Sequence, residues 1–508
     1  MSRTAKSLKN IKVALLLQAV TVVISFFTRR VFVEMLSQEY LGLNGTFSNI
    51  LTMLSLAEMG IGSVFTYSLY KPLAEQDEGQ ITALMALFRR TYRTIGLVIG
   101  ALGCALAPFL SVLIRDMPDI PHIYLIYLMF VLDTSLSYFY VYKQLLIIAD
   151  QRRYIDTACG FVLNMLLQLS QVVSLWLTRN YFLYLGFQIG ETLLKNLILS
   201  FIADRLYPFM KKTKPDALSP DTKQEIIKNT KAGILHKIGS VIVFGTDNML
   251  ISYFVGVISV GLYSNYLLVT KKLEMVYGQL FNALTASIGN LGATSGTEQA
   301  MPVFRRINFA GSWIYGFSSV CLFVLFNPFI SLWLGDDYLF SQGIVFLIAL
   351  NFYATGMRQA VQAFRNAYGL FWYDRYKPIA ESAVNLVVSI ALAFPFGTAG
   401  ILLGTFVSTM TVCFWVEPLV LFRHGLHAPV WPYFRDYAVN ALLTLVTAAA
   451  LRWVCLTLPG EGFLLFLAKV AICAVGGNLF YLLAYHRTEE FRYFVELFSG
   501  LLRRKMGL

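Results

Sequence analysis

The stretch FGTDNMLISYFVGVISVGLYSNYLLVT, residues 244–270, decides how the rest of the chain is read. It is apolar for most of its length, interrupted at Val255-Gly256-Val257, and holds one acid, Asp247, inside its first apolar run. An earlier passage echoes it. In EYLGLNGTFSNIL (39–51), Leu41-Gly42-Leu43 matches Val260-Gly261-Leu262 at an offset of 219, and small polar and aromatic residues follow in both. Each passage comes after a short loop and opens what reads as the second span of its half. The echo points to a chain made of two related halves, and membrane proteins built that way place cargo between the halves near the bilayer midplane.

The solvent for most of this chain is lipid. Of its 508 residues, 57% are hydrophobic and only 14% charged, with a mean hydropathy of +0.62; a soluble domain carries about 25% charge. Runs of about 18 or more apolar residues read as helices crossing a hydrocarbon layer of ~30 Å. Fourteen such runs occur, at 13–36, 42–70, 94–114, 121–147, 155–178, 181–204, 233–256, 258–284, 307–334, 343–370, 378–395, 397–422, 436–458 and 462–485. Barrel strands would instead alternate with period two over ~10 residues. The first run is too long for a signal-peptide core and lacks a small-residue cleavage site, so it is expected to be a span.

Lysine and arginine set the threading, because they collect in cytoplasmic loops. Segments assigned inside hold Arg89, Arg90, Arg93, Arg152, Arg153, Lys271, Lys272, Arg305, Arg306, Arg375 and the basic tail, whereas those assigned outside hold only Arg115 and Arg179. Both termini are expected in the cytoplasm. The net charge of +12 is then topology charge facing anionic headgroups rather than a nucleic-acid footprint. KKTKPDALSPDTKQEIIKNTK (211–231) reads as a solvated linker with one short amphipathic helix, and FRYFVELFSGLLRRKM (491–506) as an interfacial helix. The expected division is a six-helix bundle at 1–206, a linker at 207–232, a second six-helix bundle at 233–424, two further spans at 425–486 and an amphipathic tail at 487–508.

The 244–270 passage, the N-terminal RR…E..G..GLNGTFSNIL pattern and the basic linker resemble the Wzx-type polysaccharide flippases of the MOP exporter superfamily. The resemblance covers nearly the whole chain. It implies an all-α integral membrane protein of about fourteen transmembrane helices, with two six-helix bundles around a central cavity open to each side in turn. The implied cargo is a polyprenyl-pyrophosphate-linked oligosaccharide carried from the inner to the outer leaflet of a bacterial cytoplasmic membrane. Membrane lipids, a polysaccharide polymerase and glycosyltransferases are the implied partners, with no nucleic acid and no cofactor. A coupling H+ or Na+ is left open.

Charges inside spans cost from about 3 to above 10 kcal/mol, so they face a partner or water. Arg29 and Arg30 lie about 26 Å along a helix from Lys12, in the outer part of the layer. They either snorkel to headgroups or line the cavity as phosphate forks, and because neighbours on a helix point about 100° apart only one can face it squarely. Arg358 sits mid-span, with Gln362 and Arg365 extending a polar stripe that lines a cavity or pairs with another helix. Glu58 and Asp133 are lone acids suited to sugar hydroxyls, ion pairs or protons. Asp247, with His236 one face-length earlier and Lys237 beside it, reads as a coupling or interface group. Glu381 and Glu417, near Lys377 and Arg423, read as structural. The six scattered cysteines have no metal spacing, and no Walker motif or catalytic constellation appears, so no enzyme activity is expected.

Overall fold

The structure is a computed structural model, and it describes residues 20–55, 61–114, 117–150, 152–213, 218, 224, 246–294, 296–458, 460 and 462–506. Every regular element among them is helical. The chain divides into two units, Met1–Gly261 and Leu262–Leu508. The sequence placed the boundary in the 207–232 linker; contacts within the chain group residues 246–261 with the first unit instead.

The first unit contains α1 (20–35), α2 (Gln38–Leu54), α3 (Ile61–Glu75), α4 (Glu78–Leu106), α5 (Leu110–Leu113), α6 (Ile123–Ser137), α7 (Val141–Ala149), α8 (Arg153–Thr178), α9 (Tyr181–Leu206), α10 (Phe209–Lys212) and α11 (246–254), and it ends in the first turn of α12 (Val257–Thr294). The run expected as a single span at 42–70 is two helices, α2 and α3, with 56–60 outside the described residues. The run at 121–147 is α6 and α7, bent by 40° at their junction. Small residues allow α6 to reach α4: a Cβ on Gly96 would lie 3.0 Å from the Ser135 carbonyl oxygen, and Ser135 donates to the Gly96 carbonyl at 2.7 Å. Beyond the bend, Phe65 and Phe88 stack at 3.8 Å inside a core that includes Leu84, Tyr92, Leu146 and Ile147. Between lipid-bathed helices such close packing, not water exclusion, provides the cohesion.

The two glycines of the echoing passages meet. A Cβ on Gly42 would lie 2.0 Å from the Val257 carbonyl oxygen, and one on Gly261 would lie 2.9 Å from the Gly42 nitrogen. Helix α2 and the start of α12 therefore cross at a separation that only hydrogen at Cα permits.

The second unit takes up the remainder of α12, then α13 (Gly296–Leu334), α14 (Gln342–Met357), α15 (Gln359–Ala367), α16 (Lys377–Phe396), α17 (Thr398–Ser408), α18 (Phe414–Leu421), α19 (Trp431–Leu456), α20 (Phe463–Tyr485) and α21 (Glu489–Met506). Helices α16 and α17 form a hairpin on the single residue Gly397, whose φ of 54° suits glycine. Gly400 and Gly404, one turn apart, press on its partner arm: their Cβ atoms would lie 1.9 Å from the Leu392 oxygen and 2.2 Å from Ser389 Oγ.

Among the described residues eight helices are long and apolar enough to cross a membrane, or nine if α6 and α7 form one span. Of the other expected spans, 13–36 and 233–256 lie partly outside the described residues. The run at 181–204 is the continuous helix α9, made more polar by Glu191, Lys195 and Asn196. That at 258–284 is the middle of α12, where Asn265, Lys271, Lys272 and Glu274 interrupt the apolar run. Outward faces are oily, with Leu177, Phe394, Leu464 and Val475 70–81% exposed. The protein is a multi-pass membrane protein.

Candidate functional site

In the first unit the expected arginine pair is split between two environments. Asn180 caps α9 by accepting from the backbone nitrogens of Phe182 and Leu183 at 2.8 and 3.3 Å. That sets Tyr181 and Tyr184 three residues apart on one face, with rings stacked at 5.7 Å. Phe32 meets both edge-on at 5.9 and 5.2 Å, and Tyr40 packs 4.9 Å from Tyr181. Asn44 Nδ2 donates to the Tyr181 hydroxyl at 3.2 Å. Arg29, three residues before Phe32, is half-buried beside Tyr184 and Tyr181. Arg30 turns away to the surface, where its Nε donates to Glu34 Oε1 at 2.7 Å and the two side chains are 51% and 48% exposed. The expectation that Arg30 lines a cavity is corrected by this pair.

Asp133 is a crosslink. It accepts from Gln188 Nε2 at 2.8 Å and Thr192 Oγ1 at 2.6 Å, tying α6 to α9. Asp247 is buried on α11, whereas Glu58, His236 and Lys237 lie outside the described residues.

The second unit holds a buried charge cluster. Arg358 occupies the break between α14 and α15 and is 8% exposed. Its Nε and Nη2 donate to Glu417 Oε2 and Oε1 at 2.9 and 2.8 Å, and its Nη1 lies 3.5 Å from Glu381. Lys377 Nζ reaches Glu417 Oε1 at 2.5 Å, and Gln362 Nε2 donates to the same carboxylate at 3.3 Å. Arg365 pairs with Asp374 and stands 3.7 Å from Glu417. Three cations meet three acids, so the site is neutral, as burial demands. The stripe expected to face water at Arg358, Gln362 and Arg365 faces these acids instead.

The backbone is broken wherever the cluster is built. One π-helical turn, Thr409–Cys413, precedes α18, which carries Glu417 and Pro418, and a second, Phe422–Leu426, follows it. Single π turns inside helices recur at functional positions. Sequence reasoning paired Glu417 with Lys377, which the structure bears out, and with Arg423, which is exposed. It missed Arg358, since 59 residues separate the partners; the available signal was that Arg358 had no acid within reach on its own helix.

No protein-family model and no curated relative matches the sequence. Solved structures do. A lipid II flippase, MurJ, in an inward closed conformation is similar with a TM-score of 0.66 and 13% identity, over 93% of this chain and 98% of that one. An inward-facing multidrug-resistance MATE transporter of the MOP superfamily matches with a TM-score of 0.56 and 13% identity, over 80% of this chain and 96% of its own. The Vibrio cholerae MATE transporter VcmN matches at 0.54 and 12%, over 81% and 95%. Likeness of this extent at such low identity establishes the fold: this chain has the helical architecture shared by MurJ and the MATE transporters.

Proposed function

We propose that this protein is a flippase of the bacterial cytoplasmic membrane that moves a polyprenyl-pyrophosphate-linked oligosaccharide from the inner to the outer leaflet by alternating access. The observation that carries the reading is the Arg29 nest. A guanidinium keeps its charge at any physiological pH and grips phosphate oxygens with two parallel hydrogen bonds. Tyr181 and Tyr184 beside it offer flat faces and hydroxyls of the kind that suit sugar rings. A drug exporter taking cations would gain nothing from an arginine there. The wider match to MurJ, 93% of this chain against 80% for the MATE transporter, also favours a lipid-borne cargo. The same match keeps lipid II as a second reading.

In this proposal the polyprenyl tail stays in lipid, and both termini face the cytoplasm, where polymerase and glycosyltransferases of the pathway act nearby. The step runs on membrane potential or an H+ or Na+ gradient, each charge moved being worth ~2.3 kcal/mol per 100 mV. Arg29→Gln should cut delivery of glycan to the outer surface roughly ten- to hundredfold, the value of one charge-assisted contact of about 1.5–3 kcal/mol. Lipid-linked sugar should accumulate in the inner leaflet, Arg29→Lys should recover part of the loss, and Arg30→Gln should export normally. Unchanged glycan export in Arg29→Gln, together with altered efflux of a cationic dye, would transfer the protein to the drug exporters.

A further inference from the structure

A cavity of about 500 Å³ lies inside the second unit, between the first part of α13, the residues before α19, and the junction of α20 with α21. That is the size of a small-molecule site. Phe304, Phe309, Phe422, Tyr433 and Tyr485 give it aromatic walls. Its charged residues are Arg305, Arg435, Asp436 and Glu490. Arg435 and Asp436 are neighbours paired at 3.0 Å, so they answer each other. Arg305 and Glu490 are different: among the described residues neither has a hydrogen-bond or ion-pair partner. Glu490 is held in place because α21 docks on α13. Phe491 stacks on Trp313 at 5.9 Å, Phe494 on Phe309 at 6.2 Å, and Arg306 lies 3.8 Å over the Tyr493 ring.

One unanswered cation and one unanswered anion at the same apolar cavity call for a ligand carrying both signs and a greasy body. We propose that the cavity binds a zwitterionic phospholipid with a primary ammonium, of the phosphatidylethanolamine type. Arg305 takes the phosphate with charge-assisted hydrogen bonds, Glu490 takes the ammonium, and the aromatic walls receive the start of one acyl chain. An anionic lipid would satisfy Arg305 but meet the repulsion of Glu490. A choline lipid would present a methylated cation that cannot donate to the carboxylate. The site is separate from the Arg29 nest, so it stands whatever cargo the protein carries.

Native mass spectrometry of the purified full-length protein, after exchange into mixed micelles with phosphatidylethanolamine, phosphatidylglycerol or phosphatidylcholine, tests the assignment. The intact protein should retain phosphatidylethanolamine at least tenfold over the other two. Glu490→Gln should keep total lipid binding and lose the preference for the ethanolamine headgroup over phosphatidylglycerol, whereas Arg305→Gln should lose all three lipids together. Free phosphoethanolamine added in excess should fail to displace the lipid if the acyl contact matters. Equal retention of the three lipids by the unmodified protein, a preference for phosphatidylglycerol, or an unaltered preference in Glu490→Gln would each overturn the proposal. Because Glu490 borders the mouth at an exposed helix start, that variant folds even if Arg305→Gln does not.

Discussion

Arg358 and Glu417, 59 residues apart, form a two-pronged ion pair sealed inside the second unit, the carboxylate wholly buried. Two other cations, Lys377 and Arg365, crowd the same carboxylate at 2.5 and 3.7 Å. Neutralising Glu417 therefore strands positive charge away from water. Glu417→Gln should destabilise the protein by about 3–5 kcal/mol, the cost of breaking a buried pair from one side. The joint change Arg358→Met with Glu417→Leu removes one charge of each sign and should cost much less. Denaturant titration in detergent compares them; equal losses in the two proteins would mean that the cluster's charge balance is irrelevant to its stability.

The crossing of α2 with α12 makes a second forecast. At Gly42 any β-carbon collides with main-chain atoms of Val257, which cannot rotate away as a side chain could. Gly42→Val should abolish accumulation of folded protein, and Gly261→Val should weaken it. Gly190 is the control, since a Cβ there meets nothing within 4 Å. Gly190→Ala should be neutral or gain about 0.5–1 kcal/mol from stiffening a helical position. Fluorescence-detected size-exclusion profiles report on all three, and a normal profile for Gly42→Val would disprove the tight crossing.

Outside the membrane, Tyr207 follows the last turn of α9, and its hydroxyl donates to Asp150 at 2.7 Å. Burial and then the neighbouring carboxylate hold the phenol's pKa above its ordinary value of 10. The folded protein thus keeps a proton that the unfolded chain releases. Its stabilising contribution is complete below about pH 10 and is lost as pH rises beyond that. Tyr207→Phe should cost about 1.5–3 kcal/mol at neutral pH and flatten the alkaline fall in melting temperature. The same alkaline slope with and without the hydroxyl would remove Tyr207 from the explanation.

The parts visible in the sequence were those governed by local rules. Apolar length announced α8, α13, α16, α17, α19 and α20, and the glycine echo marked two positions that turn out to touch. The 100° step between adjacent helical residues foretold that Arg29 and Arg30 would part company. What escaped was long-range pairing. A helix period shows that Arg358, Gln362 and Arg365 share a face, yet it says nothing of Glu417 on another helix. The π turns beside Glu417 also shift its facing in a way that a regular helical wheel cannot supply. Similarly, the bend after Ser137 leaves no mark in hydropathy, because Tyr138, Phe139 and Tyr140 read as part of one apolar run.

Those π turns make the carboxylate's aim a matter of residue count. Excising one residue from 409–413 would heal the irregular turn, but it would swivel everything downstream by about 100° and draw it back by about 1.5 Å. Glu417 would then look past Arg358 altogether. Length variation at this point can therefore re-aim the acid without altering any charged residue, so an indel here would reach the centre of the second unit more directly than most substitutions.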